Sequence, residues 1–392
     1  MTAKLERQRV RFLLAALIGL CATSAAEARV FPYENVLQEL RHVDFKGRDR
    51  EILVLRPAIP PSAASAPAVV LLHYFGGTPQ AMANLTVAMQ WVRDRGAWVY
   101  LPQGTFGDWS DSPTDLRLSD DVGFLSQLIQ DAVAQDPIDH SRVYMAGYSR
   151  GGAMSLYMAC ERPDLIAAVA SVASTLHQSV NRSCSPSVPV PVLLINGTAD
   201  DKVGYDKRTL GNLTPMEAFE RFASFNGCSG MPLERAVPDK VDDETTVSTL
   251  NYDQCSAGSA VGFYRVEGGG HTWPGAGSFV PEYGPTTKDI DATVEMWNFF
   301  QRFPGHESLR NAAAGDRARL GCLRRRCPSC NRSRCKQSRS RGQSVQHGRS
   351  GSACDRLRSR RALRRRLAER RSGRQPQRNL CAPLHGRGHG SR

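Results

Sequence analysis

No apolar run in this 392-residue chain is long enough to cross a membrane. The longest, residues 12–22, offers about eleven apolar positions, where a hydrocarbon core needs about 20. It follows Lys4, Arg7, Arg9 and Arg11 and precedes Ala26-Glu27-Ala28, so residues 1–28 read as a cleavable secretory signal and the mature protein as secreted or periplasmic. A lipid anchor at Cys21 would want a smaller neighbour than Leu20. There is no internal repeat, which excludes solenoid and propeller arrays. Lysine is scarce, 7 against 44 arginines, and 24 of those arginines lie from Pro304 onward beside a single lysine, Lys336. That segment is also poor in aromatics and has no sustained apolar period. It cannot bury a core, and residues 304–392 are expected to be a disordered tail.

The net charge of +13 suggests a nucleic-acid binder until it is divided along the chain. From Pro304 onward 25 Lys and Arg face 4 Asp and Glu, a net of +21, which leaves residues 1–303 at −8. No specific nucleic-acid partner is expected for the globular part. The tail has two readings: a basic arm for nucleic acid, anionic lipid or a polyanionic wall polymer, or an unselected, out-of-frame extension of GC-rich coding sequence. Cys322, Cys327, Cys330 and Cys354 mimic a plant-type iron-sulfur spacing, but an exported arginine-rich segment is the wrong context for a cluster or for zinc. No metal or organic cofactor is expected.

Removal of the signal takes Cys21 with it and leaves residues 29–303 with Cys160, Cys184, Cys228 and Cys255. An even number in an oxidising compartment points to two disulfides. Three pairings are possible. Neighbourhood in sequence favours Cys160 with Cys184 and Cys228 with Cys255, each closing a loop of about 25 residues and contributing roughly 3 kcal/mol.

The short apolar runs at 69–73, 98–102, 143–146, 192–195 and 261–266 read as strands buried on both faces, with 52–55 as an edge strand. Helical periodicity appears over 79–95, over 120–134 and in the closing region 286–303. Strands alternating with helices imply an α/β fold, a mainly parallel sheet covered on both sides, within one domain over residues 29–303.

The motif that carries chemistry is Gly147-Tyr148-Ser149-Arg150-Gly151, between the strand at 143–146 and a helix-like run at 153–160. A serine on a sharp strand-to-helix turn projects its hydroxyl alone into a cleft, provided that the residues two before and two after are small. Such a serine needs a base and a third group to orient the base, arriving in the order Ser, Asp or Glu, His, each after a strand. Asn196-Gly197-Thr198-Ala199-Asp200-Asp201 follows the strand at 192–195, and Gly268-Gly269-Gly270-His271 follows the strand at 261–266. Ser149 is the candidate nucleophile, His271 the general base and Asp200 its orienting carboxylate, although Asp201 is adjacent and either could reach. The backbone N–H of Arg150 is the expected first oxyanion donor, and that of Tyr74 or Phe75 the second. Trp109, Trp273, Tyr74 and Phe75 could line a pocket for an aromatic acid or a groove for a hydroxyalkanoate oligomer.

These residues bring out a family. The chain resembles the secreted α/β-hydrolase esterases grouped with polyhydroxybutyrate depolymerases and feruloyl or acetylxylan esterases. The resemblance covers about residues 30–303 and lies in Leu71-Leu72-His73 with Gly76-Gly77, Tyr100-Leu101-Pro102-Gln103-Gly104, Asp120-Asp121-Val122-Gly123, the serine turn, Gly197-Thr198-Ala199-Asp200, Asn226-Gly227-Cys228, Gly268 to Gly275, and Trp297-Asn298-Phe299-Phe300. It implies an α/β-hydrolase fold, catalytic roles for Ser149, Asp200 and His271, the two disulfides above, and ester substrates. Two positions depart from the pattern. Tyr74 stands where the family usually has Gly, and Arg150 stands where it often has a small residue or Asn, which would place a cation at the cleft mouth and favour acidic acyl groups. Two other readings compete: a catalytically silent polymer- or carbohydrate-binding protein on a hydrolase scaffold, and polyanion binding by the basic tail.

Overall fold

The computed structural model describes residues 30–59, 66–114, 119–277 and 281–304. The signal segment, the middle of the linker at 57–67, and the tail with its cysteines lie outside the described residues. Within them, ten strands form one sheet: β1 (Val36–Phe45), β2 (Arg48–Pro57), β3 (Ala66–Leu72), β4 (Trp98–Pro102), β5 (Ile138–Tyr148), β6 (Ala168–Val172), β7 (Val192–Gly197), β8 (Leu233–Ala236), β9 (Thr246–Tyr252) and β10 (Val261–Glu267). Their spatial order is β1-β2-β4-β3-β5-β6-β7-β10-β9-β8. The middle six, β4 to β10, pair in parallel, and antiparallel strands flank them at both ends.

Helices cover both faces of this sheet, the α/β-hydrolase arrangement, because the central strands are apolar on both sides. On one face α3 (Asp121–Gln135), α4 (Arg150–Glu161) and α6 (Pro215–Phe225) bury Phe124, Met154, Phe219 and Phe222 against Val70, Met145 and Phe263. On the other, α1 (Pro79–Thr86), α2 (Met89–Arg95) and α7 (Ala292–Phe300) bury Met82, Trp91, Met296 and Phe300 against Val69, Val99 and Ile195. A short α5 (Gln178–Ser183) follows β6. The two cysteine pairs are Cys160–Cys184, which ties the end of α4 to the end of α5, and Cys228–Cys255, which ties the end of α6 to the end of β9.

Three expectations change. The stretch at 52–55 is not an edge. It belongs to β2, which lies between β1 and β4; β1 takes the edge with an alternating, half-polar sequence that carries no apolar run. The helix expected over 79–95 is two helices, because Val87 adopts a left-handed conformation (φ 50°, ψ 40°) and caps α1 through its N–H. And β6, β8 and β9 go unannounced in sequence: β6 is made largely of small residues, and β8 is exposed along its length.

Parallel pairing has a consequence for function. It gathers the loops after β3, β4, β5, β6, β7 and β10 at the carboxyl edge of the sheet, where ligands of open α/β sheets bind.

Candidate active site

β5 runs directly into Ser149, and α4 begins at the next residue. Ser149 has φ 54° and ψ −120°, a conformation that non-glycine residues rarely adopt and that holds its side chain clear of both strand and helix. The flanking glycines are required by contact. A Cβ on Gly147 would collide with the backbone of Gly151 and Gly152, and one on Gly151 would collide with the carbonyl oxygens of Leu72 and His73. The turn is thereby wedged against the end of β3.

Three side chains form a continuous line at this edge. The Ser149 hydroxyl lies 2.9 Å from His271 Nε2, and His271 Nδ1 lies 2.8 Å from Asp200 Oδ2. A carboxylate only accepts, so Nδ1 carries the imidazole proton and Nε2 is left to accept from the serine. Asp200 Oδ1 accepts from the N–H groups of Lys202 and Val203 at 2.9 and 2.8 Å, which orients the carboxylate. His271 is held by its own backbone: its N–H donates to the Tyr283 carbonyl at 2.7 Å, and its carbonyl accepts from the Tyr148 hydroxyl at 2.6 Å. Asp200 and His271 are buried, whereas Asp201 is exposed and paired with Lys202. Of the two adjacent aspartates, Asp200 is the one in line.

The loop after β3 and the loop after β4 form the facing wall. His73 joins them. Its Nδ1 donates to the Tyr74 carbonyl at 2.7 Å, and its Nε2 accepts from the Gly104 N–H at 2.9 Å. One partner can only accept and the other can only donate, so this pair admits only the neutral ring. Burial works in the same direction and lowers the His73 pKa to about 4. Around it, the Gly77 N–H donates to the Tyr74 carbonyl and the Gly76 N–H to the Gly107 carbonyl. Both amides are committed within the wall. A second joint is the buried pair Arg50 and Asp121 at 3.0 Å; Asp121 Oδ2 accepts from the Ser110 N–H, and Arg50 donates to the Gln103 carbonyl and lies over the Phe124 ring.

Arg150 corrects an expectation. Its guanidinium is not an unneutralised cation at the mouth: Nε and one terminal nitrogen grip Asp108 at 2.8 and 3.2 Å, the other terminal nitrogen meets Asp111 at 2.9 Å, and the Trp109 carbonyl accepts at 2.8 Å. Two carboxylates neutralise it, so it offers no attraction for acidic acyl groups. Its side chain fastens the loop after β4 onto the first turn of α4, while its N–H sits in that first turn, where the helix geometry supplies no i−4 carbonyl.

The tryptophans are a second correction. Trp109 is fully buried, donates from Nε1 to the His73 carbonyl at 2.8 Å and packs on the His73 ring. Trp273 is 2% exposed, set edge-on to Tyr148, with Nε1 on the Thr293 hydroxyl. Each indole finds its hydrogen-bond partner inside the protein, so neither presents a surface to a ligand. Tyr74 is half-buried with its ring 5.5 Å from that of Tyr148, and Phe75 is exposed. Sequence reasoning missed His73, Arg50 and Tyr148 as supports. The only available signal was the placement of His73 at a strand end before Gly76-Gly77.

With this geometry in place, similarity to known proteins can be read. The family model described as phospholipase/carboxylesterase matches residues 57–211. The chain is 30% identical over 263 residues to NocK, a candidate esterase of Nocardia uniformis subsp. tsuyamanensis, covering 62% of this chain and 76% of that protein. It is 28% identical over 238 residues to feruloyl esterase B of Piromyces equi, covering 57% of this chain and 42% of that one. It is 24% identical over 260 residues to the bifunctional acetylxylan esterase/xylanase XynS20E of Neocallimastix patriciarum, covering 66% and 34%. The chain thus spans less than half the length of the last two relatives.

Two outcomes follow from the wall. In unfolded chains His73 takes up a proton as pH falls below its ordinary 6.5, while in the folded protein it stays neutral down to about 4. The stability from the neutral ring is therefore full above that window and lost as pH drops through it, by about 2–3 kcal/mol between pH 7 and pH 4.5. Urea melts at the two pH values should show this loss, and His73→Gln should remove that part of the slope. Arg150→Met takes away the cation that holds Asp108 and Asp111 and should cost about 2 kcal/mol, read in the same melts at pH 7.

Proposed function

We propose that this chain, which belongs to the phospholipase/carboxylesterase family of α/β-hydrolases and is a carboxylic ester hydrolase, works through an acyl-enzyme on Ser149. The observation that carries the reading is the continuous line from the half-buried Ser149 Oγ through the buried His271 to Asp200, at 2.9 and 2.8 Å. His271 Nε2 takes the hydroxyl proton as Ser149 Oγ attacks the ester carbonyl. The negative charge that develops on the carbonyl oxygen is met by the Arg150 N–H and by that of Tyr74 or Phe75, the amides of Gly76 and Gly77 being engaged elsewhere. Imidazolium, stabilised by Asp200, then gives its proton to the departing alcohol. In the second half the same histidine draws a proton from water, which attacks the acyl-serine and releases the acid.

The substrate class is a polysaccharide carrying feruloyl or acetyl esters. The names of the relatives support that reading, whereas a hydroxyalkanoate oligomer has only the motif resemblance behind it. Export fits the two disulfides, since such bonds persist in oxidising compartments.

The full-length protein and its Ser149→Ala form should be compared on p-nitrophenyl acetate, methyl ferulate, acetylated xylan and a hydroxybutyrate oligomer. The expected result is hydrolysis of the first three by the parent and a loss of about 10⁴-fold or more in kcat for the variant. Equal activity of the two proteins would remove Ser149 from the mechanism. Preference for the oligomer would move the substrate class to polyesters.

A further inference from the structure

Two aromatic side chains face solvent at the carboxyl edge on the wall opposite His271: Phe75, on the loop after β3, and Phe106, on the loop after β4, 67% and 89% exposed, while Tyr283 after β10 is 40% exposed. Neither phenylalanine touches the core, and each is costly to keep in water. Phe106 carries a further cost, because its backbone is left-handed at φ 55° and ψ 30°, where glycine or asparagine would turn the chain without strain. The loop nevertheless holds that shape firmly. The Gly107 N–H donates to the Gly104 carbonyl and the Asp108 N–H to the Thr105 carbonyl, and Asp108 is gripped by Arg150. One further bond, from the Gly76 N–H to the Gly107 carbonyl at 2.8 Å, ties the two loops together one residue from each phenylalanine. Two exposed rings on mutually braced loops form a step on the wall that meets the Ser149 turn, where Gly151 abuts the His73 carbonyl and Arg150 grips Asp108. Tyr74 continues the step inward to Tyr148, whose ring lies 5.4 Å from that of His271.

Strain and exposure maintained together mark a surface selected for contact. Small esters fit in the cleft alone and have no need of the step; a polymer bearing the ester lies across it. Resting on the polysaccharide-ester reading above, we propose that Phe75 and Phe106 form a stacking platform for the glycan chain that carries the scissile ester. The apolar C–H face of a pyranose lies flat on an aromatic ring and leaves its hydroxyls in water, so the platform grips the chain without selecting one decoration. It would hold the polymer while Ser149 takes the acyl group.

The test compares the parent protein with Phe75→Ala, Phe106→Ala, Phe106→Asn and the double alanine variant on acetylated xylan and on p-nitrophenyl acetate. The expected result is a kcat/KM ratio of polymer to small ester about tenfold lower in the double variant, carried by KM, with each Phe106 substitution lowering the ratio alike. Asparagine tolerates the left-handed backbone, so recovery of the ratio in Phe106→Asn would show that loop shape mattered and the ring did not, overturning the proposal. An unchanged ratio in the double variant, with the parent active on xylan, would overturn the platform alone. A parent that cleaves p-nitrophenyl acetate and not xylan would overturn the substrate reading and the platform with it.

Discussion

Ser149 holds a backbone conformation, φ 54° and ψ −120°, that the chain adopts only because β5 behind it and α4 ahead leave no alternative. The strain costs about 1–3 kcal/mol, and the pressure that maintains it comes from close backbone contact. Gly147 meets the backbone of Gly151, and Gly151 meets the carbonyls that end β3. The hydroxyl therefore has a position set by β5 and β3, neighbouring strands of the parallel core. The rest of the site is assembled against that fixed point: β7 delivers Asp200, β10 delivers His271, and the two meet because the strands that carry them are hydrogen-bonded neighbours from Val192 with Val261 to Gly197 with Val266.

The facing wall is built differently. Apart from a 3-10 turn at Thr105–Gly107, no helix or strand forms it, so its loops depend on side chains that act as struts. His73 is useful there because it is neutral; protonation would set an N–H against the Gly104 N–H. Arg50 and Asp121 brace the loop from below, and Arg150 braces it from the helix that begins just after Ser149. Charges that look like substrate-recognition groups in one dimension are consumed in three. The wall's exposed aromatic side chains are Phe75 and Phe106, and Tyr283 is exposed on the segment after β10.

Much of this was legible in the sequence, and the pattern of misses has a cause. The parallel core announced itself through runs such as Val69-Val70-Leu71-Leu72, because burial on both faces removes polar residues. The line of Ser149, Asp200 and His271 was legible because each sits just beyond such a run. The strand β1 was not, since an edge strand with both faces partly wet carries no apolar signal. The roles of Trp109, Trp273 and Arg150 were misjudged for one reason: loop residues declare their chemistry but not the side of the loop they occupy. Arg150 finds its carboxylates 42 and 39 residues earlier, a pairing that no local pattern encodes. Likewise Asp200 and Asp201 differ only in direction, inward to His271 and outward to Lys202.

The account stands on Ser149 being a nucleophile activated by His271, and covalent labelling addresses that without any assumption about substrate. The full-length protein would be treated with an alkyl fluorophosphonate at neutral pH and its mass and proteolytic peptides measured. The account predicts one equivalent of adduct, located on the peptide containing Ser149, with labelling strongly slowed in His271→Ala. A protein that stays folded and unlabelled, or that carries its adduct on another residue, would contradict it.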